Sequence, residues 1–286
     1  MRFLVLGANG MAGHTICLYL TRRGHSVVGL ARAASPLVQA IIGDVRDVET
    51  LRRHVQAGGF DTVINCVGIL NAAAERDKAA AVYINALLPH LLVDITRDSA
   101  TQVIHLSTDC VFSGKRGQYR ENDFRDGETF YDRSKALGEL EDERNLTLRT
   151  SIVGPDLSPN GIGLLNWFMQ QPGPISGFTG AIWNGQTTLQ LAKTIEYAAV
   201  RRLGGLYNIV PDRAVTKFEL LQLFNRELRH DTVQVNAVPG LTVDKSLVRT
   251  RLELDCPVPD IPAMVAELAE WMREYRSLYP HYALSS

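Results

Sequence analysis

The chain lacks the usual signs of a metal site or of a disulfide framework. Its four cysteines, Cys17, Cys66, Cys110 and Cys256, are widely separated and form no CxxC pair. The seven histidines do not cluster with them at ligand spacing. We therefore expect neither a bound metal nor structural disulfides.

Excess charge and long apolar runs are also missing. The formal net charge is -1, which provides no general attraction to nucleic acid or to an anionic membrane. No run reaches the length of about 18 apolar residues that spans a bilayer, and the N-terminus lacks the basic stretch and cleavage site of a signal peptide. The sequence contains no internal repeat and no low-complexity tract. These absences predict a cytoplasmic protein without a nucleic-acid or membrane partner.

Strand-like and helix-like segments alternate through the first half of the chain. The apolar runs RFLVLG, SVVGLAR, AIIGD, DTVINCVG and QVIHLS are separated by helical patterns, including one over residues 11–23 and a long one over 74–97. Apolar runs of this kind belong to parallel strands that are covered on both faces. The alternation predicts an α/β fold, a Rossmann-type doubly wound parallel sheet whose ligands bind at the carboxyl ends of the strands.

The pattern changes after residue 153, where proline and glycine become frequent. Helical periodicity returns over residues 164–170, 188–201, 216–228 and 262–275, with the strand-like runs LYNIV and TVQVN between the later helices. We predict an NAD(P)-binding domain over 1–153. Residues 154–286 would form a smaller C-terminal α/β substrate lobe, with some elements returning to the first domain.

Three glycines stand between the first strand and the first helix. Gly7, Gly10 and Gly13 recur at every third position, so the turn can be tight and the backbone can approach a pyrophosphate at the helix N-terminus. A purely structural turn is the alternative. Because the motif directly follows a strand, we favour dinucleotide binding.

Arg32 occupies the end of the second strand, where an acidic residue would hold the ribose 2′-hydroxyl of NAD. A guanidinium there would instead bind a 2′-phosphate, so NADP(H) is preferred and NAD(H) remains possible. A solvated surface arginine is the alternative interpretation.

Asp44 and Val45 follow the third strand and could meet the adenine edge, although Asp44 could equally be an N-cap or turn residue. Residues 65–68 would close the fourth strand beneath the cofactor.

Thr108, Tyr131 and Lys135 form the predicted chemical centre. Thr108 follows the fifth strand, and Tyr131 and Lys135 lie one helical turn apart on the next helix. When a hydride adds to a ketone, a phenol can supply the proton while a hydroxyl donates a second hydrogen bond to the oxygen. A nearby ammonium would bring the phenol pKa toward the working pH. The order of these motifs predicts an NAD(P)-dependent oxidoreductase rather than a chance YxxxK pair.

The segments GANGMAG, NCVG, INALLPHLL, LSTDCVFSG, YDRSKALGE and TLRTSIVG appear in the order of the extended short-chain dehydrogenase/reductases, and the resemblance covers nearly the whole chain. STDxVFxG is similar to the dTDP-4-dehydrorhamnose reductase branch, whose members reduce the 4-keto group of nucleotide-activated deoxysugars. The resemblance thus implies deoxysugar and polysaccharide biosynthesis and a nucleotide-sugar substrate. It implies a catalytic set of Thr108, Tyr131 and Lys135, with the lysine also binding the nicotinamide ribose. The expected cofactor residues are Gly7, Asn9, Gly10, Met11, Gly13, Arg32, Asp44, Val45, Cys66, Val67, Gly68, Asn85, Tyr131 and Lys135.

The same resemblance places the nucleotide sugar on the C-terminal lobe, along residues 160–168 and the segment GFTGAIWNGQTTLQLA. Trp183 and Asn184 could contact the base or sugar, or Trp183 could simply pack the lobe. Trp167 and Phe168 are expected in the core. The expected substrate residues are Cys110, Val111, Phe112, Asn166, Trp183 and Asn184.

The sequence departs from the reductase branch at Cys110, where that branch often has tyrosine, and at residues 152–153, where a tryptophan-bearing turn is expected. GDP-fucose synthase is similar in having an acid/base cysteine two residues after the catalytic threonine, which raises the alternative of a bifunctional epimerase/reductase. Such an enzyme needs a partner histidine, and none occurs between His105 and His230. We therefore favour Cys110 as an apolar pocket residue. A non-catalytic, cofactor-binding regulatory subunit is a further alternative, and a homodimer is expected from the family alone.

Overall fold

The computed structural model describes residues 1–251 and 253–284. The strands are β1 Arg2–Leu6, β2 Ser26–Ala31, β3 Gln39–Ile42, β4 Thr62–Asn65, β5 Gln102–Ser107, β6 Leu146–Arg149, β7 Ile152–Val153, β8 Ile175–Phe178, β9 Ala181–Trp183, β10 Gln186–Thr187, β11 Gly205–Asn208, β12 Val215–Thr216, β13 Val235–Val238 and β14 Val243–Asp244. The α-helices are α1 Met11–Arg22, α2 Val48–Ala57, α3 Asn71–Arg76, α4 Lys78–Ala81, α5 Leu88–Thr96, α6 Phe130–Leu137, α7 Leu164–Met169, α8 Thr188–Arg201, α9 Lys217–Arg229 and α10 Ile261–Glu274. A π-helical segment spans Val82–Leu87, and 3₁₀ turns span Asp109–Val111 and Arg276–Leu278.

Seven strands form one parallel sheet in the order β11-β6-β5-β4-β1-β2-β3. The chain starts in the middle at β1, moves outward to β3, and then crosses to β4 on the other side of β1. This reversal creates a crevice at the carboxyl ends of β1 and β4, where doubly wound sheets bind ligands. The predicted Rossmann-type fold is confirmed.

Helices cover both faces of this sheet. Helices α1 and α8 pack on one face over a core that includes Phe3, Ile16 and Ile195. On the other face, Leu51 and Leu92 from α2 and α5 pack against the inner strands. Every residue of β4, β6 and β11 is buried, as expected of strands enclosed by helices.

The C-terminal half has its own hydrophobic core. Phe168, Phe224 and Met272 are buried together and belong to α7, α9 and α10. From this half of the chain, β11 extends the large sheet beside β6, and α8 packs on α1. The division at residue 153 remains a proposal.

The long helix predicted over residues 74–97 is divided in the structure. Asp77 leaves the helical conformation at φ -125° and ψ 81°, and its carboxylate accepts a hydrogen bond from the Ala80 amide at 2.9 Å, so it caps a new helix. By length and composition, the 19-residue helical stretch Lys78–Thr96 could cross a membrane, contrary to the sequence-based expectation. Half of its apolar window is buried inside the protein, with Leu88, Leu92 and Ile95 in the core against the sheet.

Candidate active site

A cavity of about 590 Å³ opens at the carboxyl ends of β1, β2 and β4. It occupies the crevice at which the strand order reverses. Nine of the expected cofactor residues line it: Gly7, Asn9, Gly10, Arg32, Asp44, Val45, Cys66, Val67 and Gly68. The structure therefore brings together residues from four separate loops that sequence reasoning assigned to a dinucleotide.

The glycine turn forms a cradle at one end of this cavity. Gly7 has φ +78°, which L side chains rarely adopt, and a Cβ at Gly13 would lie 2.1 Å from the Gly7 carbonyl oxygen. Gly13 and Met11 belong to helix α1 and do not line the cavity. The helix begins at Met11, and its first-turn amides have no intrahelical partner. The N-cap residue Gly10 has no side chain that could accept from them. These amides and the helix dipole suit a phosphate group.

Asn9 fixes the cradle against the loop after β2. Its Nδ2 donates to the carbonyl oxygens of Ala33 and Ala34 at 3.2 and 3.1 Å. Its Oδ1 is buried and has no hydrogen-bond partner among the described residues. An unpaired buried oxygen costs free energy, so this atom fits a donor on a bound ligand.

Arg32 and Asp44 stand on the cavity wall with different surroundings. Asp44 accepts hydrogen bonds from the Arg46 guanidinium at 2.6 to 3.1 Å and from the Arg46 amide at 2.9 Å, and these bonds lower its pKa to about 2. Asp44 is thus a turn residue, whereas Asp47 is the N-cap of α2. Within the described part of the chain, no carboxylate lies within 4.0 Å of the exposed Arg32 guanidinium.

Asn85, an expected cofactor contact, has its side-chain amide hydrogen-bonded within the protein. Its Oδ1 accepts from the Ile69 amide at 2.9 Å. Both amide hydrogens are used, one on the Ile69 carbonyl at 2.8 Å and one on Ser134 Oγ at 3.0 Å. Asn85 therefore ties the loop after β4 to helix α6, and it does so from a π-helical segment, a feature frequent at functional sites.

Helix α6 presents Tyr131 and Lys135 one turn apart, as predicted. A capping box starts the helix, because Thr129 Oγ1 accepts from the Asp132 amide at 3.1 Å and Asp132 Oδ2 accepts from the Thr129 amide at 3.1 Å. Tyr131 belongs to a small buried cluster against which Ile69 packs, and Ile69 also lines the cavity. The tyrosine and the nucleotide cavity are therefore adjacent.

Thr108 and Cys110 lie beside Tyr131. The Thr108 hydroxyl caps the 3₁₀ turn by accepting from the Cys110 amide at 3.1 Å and donates to Asp109 Oδ1 at 3.1 Å. Burial, followed by the nearby Asp109, raises the pKa of the Cys110 thiol to about 12. The thiol is therefore protonated near neutral pH.

The predicted lowering of the Tyr131 pKa by Lys135 is not seen. Burial raises the pKa of Tyr131, Cys110 and Asp109 raise it further, and only the Thr108 hydroxyl acts in the opposite direction. The buried Lys135 Nζ instead contacts His105 Nε2 at 3.2 Å and donates to the Leu106 carbonyl at 2.7 Å. The amine thus points to the sheet and not to the phenol.

Two expected substrate amides are already occupied. Asn166 Nδ2 donates to the Pro159 and Gly161 carbonyls at 3.1 and 2.6 Å, and its Oδ1 accepts from Tyr282 at 2.7 Å. Asn184 exchanges two hydrogen bonds with the Leu247 backbone at 2.8 and 3.1 Å. These amides stabilise loops of the lobe, and their contact with substrate stays a prediction.

Three further expected substrate residues, Val111, Phe112 and Trp183, are buried. Phe112 is fully buried and stacks on Tyr119 with ring centroids 4.3 Å apart, and Val111 is buried beside it. Trp183 packs in the lobe core and donates Nε1–H to Ser151 Oγ at 2.9 Å, which favours the packing role. Phe168 is in the core as expected, whereas Trp167 is 41% exposed. Of the expected substrate residues, Cys110 alone stays partly exposed beside Tyr131.

A sequence profile of the RmlD substrate binding domain family matches residues 1–251. The chain belongs to this family. The resemblance to the dTDP-4-dehydrorhamnose reductase branch is confirmed, since several relatives carry that name.

Relatives of the RmlD family align with part of the chain. The dTDP-4-dehydrorhamnose reductase of Burkholderia thailandensis is 37% identical over 142 residues, which are 49% of this chain and 45% of the relative. The spore coat polysaccharide biosynthesis protein SpsK of Bacillus subtilis is 34% identical over 159 residues, 53% of each protein. The chain thus spans about half the length of these curated relatives.

The crystal structure of a Bacillus anthracis dTDP-4-dehydrorhamnose reductase in complex with NADP superposes with a TM-score of 0.79 at 20% identity, covering 93% of this chain and 98% of that one. At 20% identity, this structural similarity establishes the shared fold alone.

The structure adds residues that sequence reasoning missed. The Lys217 ammonium lies 5.4 Å from the centre of the Trp183 ring, and Asp109 and Cys110 oppose the lowering of its pKa by burial. Lys245 lies 3.9 Å from Asp132. These lysines come from the C-terminal lobe and place positive charge beside Cys110. Only tertiary folding brings them there, so no local motif could have indicated them.

Proposed function

We propose that this protein is an NADP(H)-dependent reductase of a 4-keto-6-deoxy nucleotide sugar in deoxysugar biosynthesis. The observation that carries the proposal is the pairing of Thr108, which follows β5, with Tyr131 of α6, in a cluster against which the cavity residue Ile69 packs. The names of the relatives, dTDP-4-dehydrorhamnose reductases and a polysaccharide biosynthesis protein, support the substrate class. The topology of the sheet supports the proposal, since Thr108 follows β5, the neighbour of β4, and the loop after β4 lines the cavity.

The residues around the cavity fit a dinucleotide. The first-turn amides of α1 would hold the pyrophosphate, and the exposed Arg32 would bind a 2′-phosphate by charge-assisted hydrogen bonds. The NADP complex of the Bacillus anthracis relative supports this preference, while NAD(H) remains possible. Val45 and Val67 provide apolar walls.

The chemistry assigned to the chain is proton transfer and orientation. NADPH, when bound, supplies the hydride. Tyr131 donates a proton to the carbonyl oxygen of the substrate, and its raised pKa keeps the phenol protonated until charge develops on that oxygen. Thr108 donates a second hydrogen bond to the same oxygen. Lys135 would bind the nicotinamide ribose, and Lys217 supplies positive charge toward an anionic nucleotide.

Two alternatives are weaker. A bifunctional epimerase/reductase would need Cys110 as a base, but the pKa of its thiol is about 12, and His105 is fully buried behind Lys135. A non-catalytic regulatory subunit would have no use for Thr108 and Tyr131 beside a cofactor cavity. We also propose a cytoplasmic location, and a homodimer formed through the helices that follow β4 and β5.

The test is NADPH oxidation with 4-keto-6-deoxy sugars carried on dTDP, UDP, GDP and CDP, with NADH in parallel. We expect turnover on one member. Tyr131→Phe should lose about 10²-fold or more in kcat while it still binds NADPH. Tyr197→Phe, on the outer helix α8, is the matched control and should retain activity. Bound NADPH without turnover on any sugar would favour the regulatory-subunit alternative.

A further inference from the structure

Behind Lys135, a chain of three buried polar side chains connects helix α6 to the middle of the sheet. Asn65 ends β4 and His105 lies next to it on β5. Neither Asn65 nor His105 is exposed to solvent, and Lys135 is 4% exposed. The hydrogen bonds inside this chain determine where each proton lies, because few other partners are available.

The orientation of the Asn65 amide is fixed from outside the chain. The Val67 amide can only donate a hydrogen bond, and it donates to Asn65 Oδ1 at 3.2 Å. Asn65 Nδ2 therefore faces His105 Nδ1, at 3.2 Å. An amide nitrogen only donates, so His105 Nδ1 must be the acceptor and the proton of the neutral imidazole must be on Nε2.

This tautomer has a consequence for Lys135. The His105 Nε2–H points at Lys135 Nζ over 3.2 Å, and Nζ already donates to the Leu106 carbonyl. An ammonium group has no lone pair and cannot accept a hydrogen bond. A neutral amine can accept from His105 and donate to Leu106 at the same time. The geometry is therefore satisfied only when Lys135 is uncharged.

We propose that His105 is a positioning residue that favours the neutral amine form of Lys135 over the ammonium form in the cofactor-free protein, with Asn65 setting the imidazole tautomer. The inference rests on the proposed function only in assigning Lys135 to the cofactor ribose. Ribose hydroxyls that draw Nζ away from His105 Nε2–H would let the amine take up a proton, so cofactor binding would be linked to proton uptake. His105 acts through Lys135 and does not contact the reacting atoms.

The charged and titratable groups around the chain are consistent with this assignment. Burial lowers the pKa of Lys135 to about 8, while Glu139 and Cys66 act in the opposite direction. Glu139 is held by Arg149 and Arg125, which limits its influence. Burial, then Lys135 and His90, place the pKa of His105 well below its ordinary value, so the imidazole is neutral.

The first test follows the protonation of Lys135 in the cofactor-free protein, with lysine labelled at ¹³Cε and the resonance assigned by its loss in Lys135→Met. We expect a titration midpoint of about 8, against about 10.4 for ordinary lysines. His105→Gln can turn an oxygen toward Nζ and should raise the midpoint by about one pH unit or more. His54→Gln, on helix α2, is the matched control and should leave it unchanged. A wild-type midpoint above about 10, or one that His105→Gln does not move, would overturn the proposal.

The second test needs no variant and so decides even if His105→Gln fails to fold. A long-range ¹H–¹⁵N spectrum of the histidines reports which ring nitrogen carries the proton. We expect His105 in the Nε2–H form from about pH 6 to 10, and a proton on Nδ1 or an imidazolium would contradict the assignment. Both tests use the protein without substrate. Absence of turnover would therefore count against the proposed function alone, and an ordinary Lys135 midpoint against this inference alone.

Discussion

Substituting Arg149 by methionine should destabilise the protein by breaking a buried ion pair beneath the active site. Arg149 and Glu139 have side-chain exposures of 0% and 1%. The guanidinium donates to both carboxylate oxygens, at 2.8 and 2.7 Å, and also to Asn208 and the Glu121 carbonyl at 3.2 and 3.3 Å. The carboxylate also accepts from Ser107, which precedes Thr108, at 2.6 Å.

The expected magnitude follows from what Arg149→Met leaves behind. Removing one partner of a buried pair costs about 3–5 kcal/mol, because the remaining charge is uncompensated. Ser107 and Arg125 still contact Glu139, so we expect the lower end, about 3 kcal/mol. That corresponds to a rise of roughly 10²-fold in the unfolding equilibrium constant. Methionine keeps much of the volume, so cavity formation is a minor part of the change.

Equilibrium urea unfolding followed by tryptophan fluorescence measures this change. Arg97→Met is the control, since its partner Asp94 is exposed and the pair should contribute nothing measurable. The double variant Arg149→Met/Glu139→Leu removes both charges and should recover at least half of the loss. If Arg149→Met unfolds at the same urea concentration as Arg97→Met, the reasoning about the buried pair is refuted.

Three further predictions concern the cofactor cradle and acid stability. Gly13→Ala should weaken NADPH binding and lower the thermal midpoint, because the new Cβ would lie 2.1 Å from the Gly7 carbonyl oxygen. Gly173→Ala is the control and should be tolerated, since a Cβ there meets nothing within 4 Å. Arg32→Glu should raise the Kd for NADPH by about tenfold or more and change that for NADH much less, as fluorescence titration would show; equal effects on both would contradict the 2′-phosphate assignment. Arg149 and Ser107 hold the pKa of Glu139 below its ordinary value. The contribution of the Glu139 carboxylate to the free energy of unfolding is therefore present above pH 4.5 and is lost as the pH falls through the folded-state pKa. Urea midpoints should therefore fall below about pH 4.5 less steeply in Glu139→Gln, and parallel curves would exclude this linkage.

Much of the fold was predictable because it depends on local signals. Apolar runs such as RFLVLG and DTVINCVG identify buried parallel strands, and the glycines after β1 indicate a turn that only small residues can form. Helix α8 lies at the predicted bounds, Thr188–Arg201. The long helix over 74–97 was predicted wrongly because the break at Asp77 occurs within an otherwise continuous helical pattern.

The site residues that directly follow strands were predictable from the sequence. The residues whose hydrogen-bond partners come from distant parts of the chain were not. Parallel strands end at one edge, so Gly7, Arg32 and Asp44 had to meet. The hydrogen bonds of Asn166 and Asn184 were not predictable, because their partners, Tyr282 and the Leu247 backbone, are distant in sequence. His105 was missed for the same reason, since nothing in QVIHLS shows that Lys135 lies against it.

The most direct test of the central claim is the fate of the hydride. NADPH carrying deuterium at the transferable position is incubated with the protein and the sugar nucleotide that it turns over, and the product is analysed by NMR. The account predicts one deuterium at C4 of the sugar, and loss of this transfer by about 10²-fold or more in Tyr131→Phe. Deuterium at another carbon, or unchanged transfer in Tyr131→Phe, would contradict it.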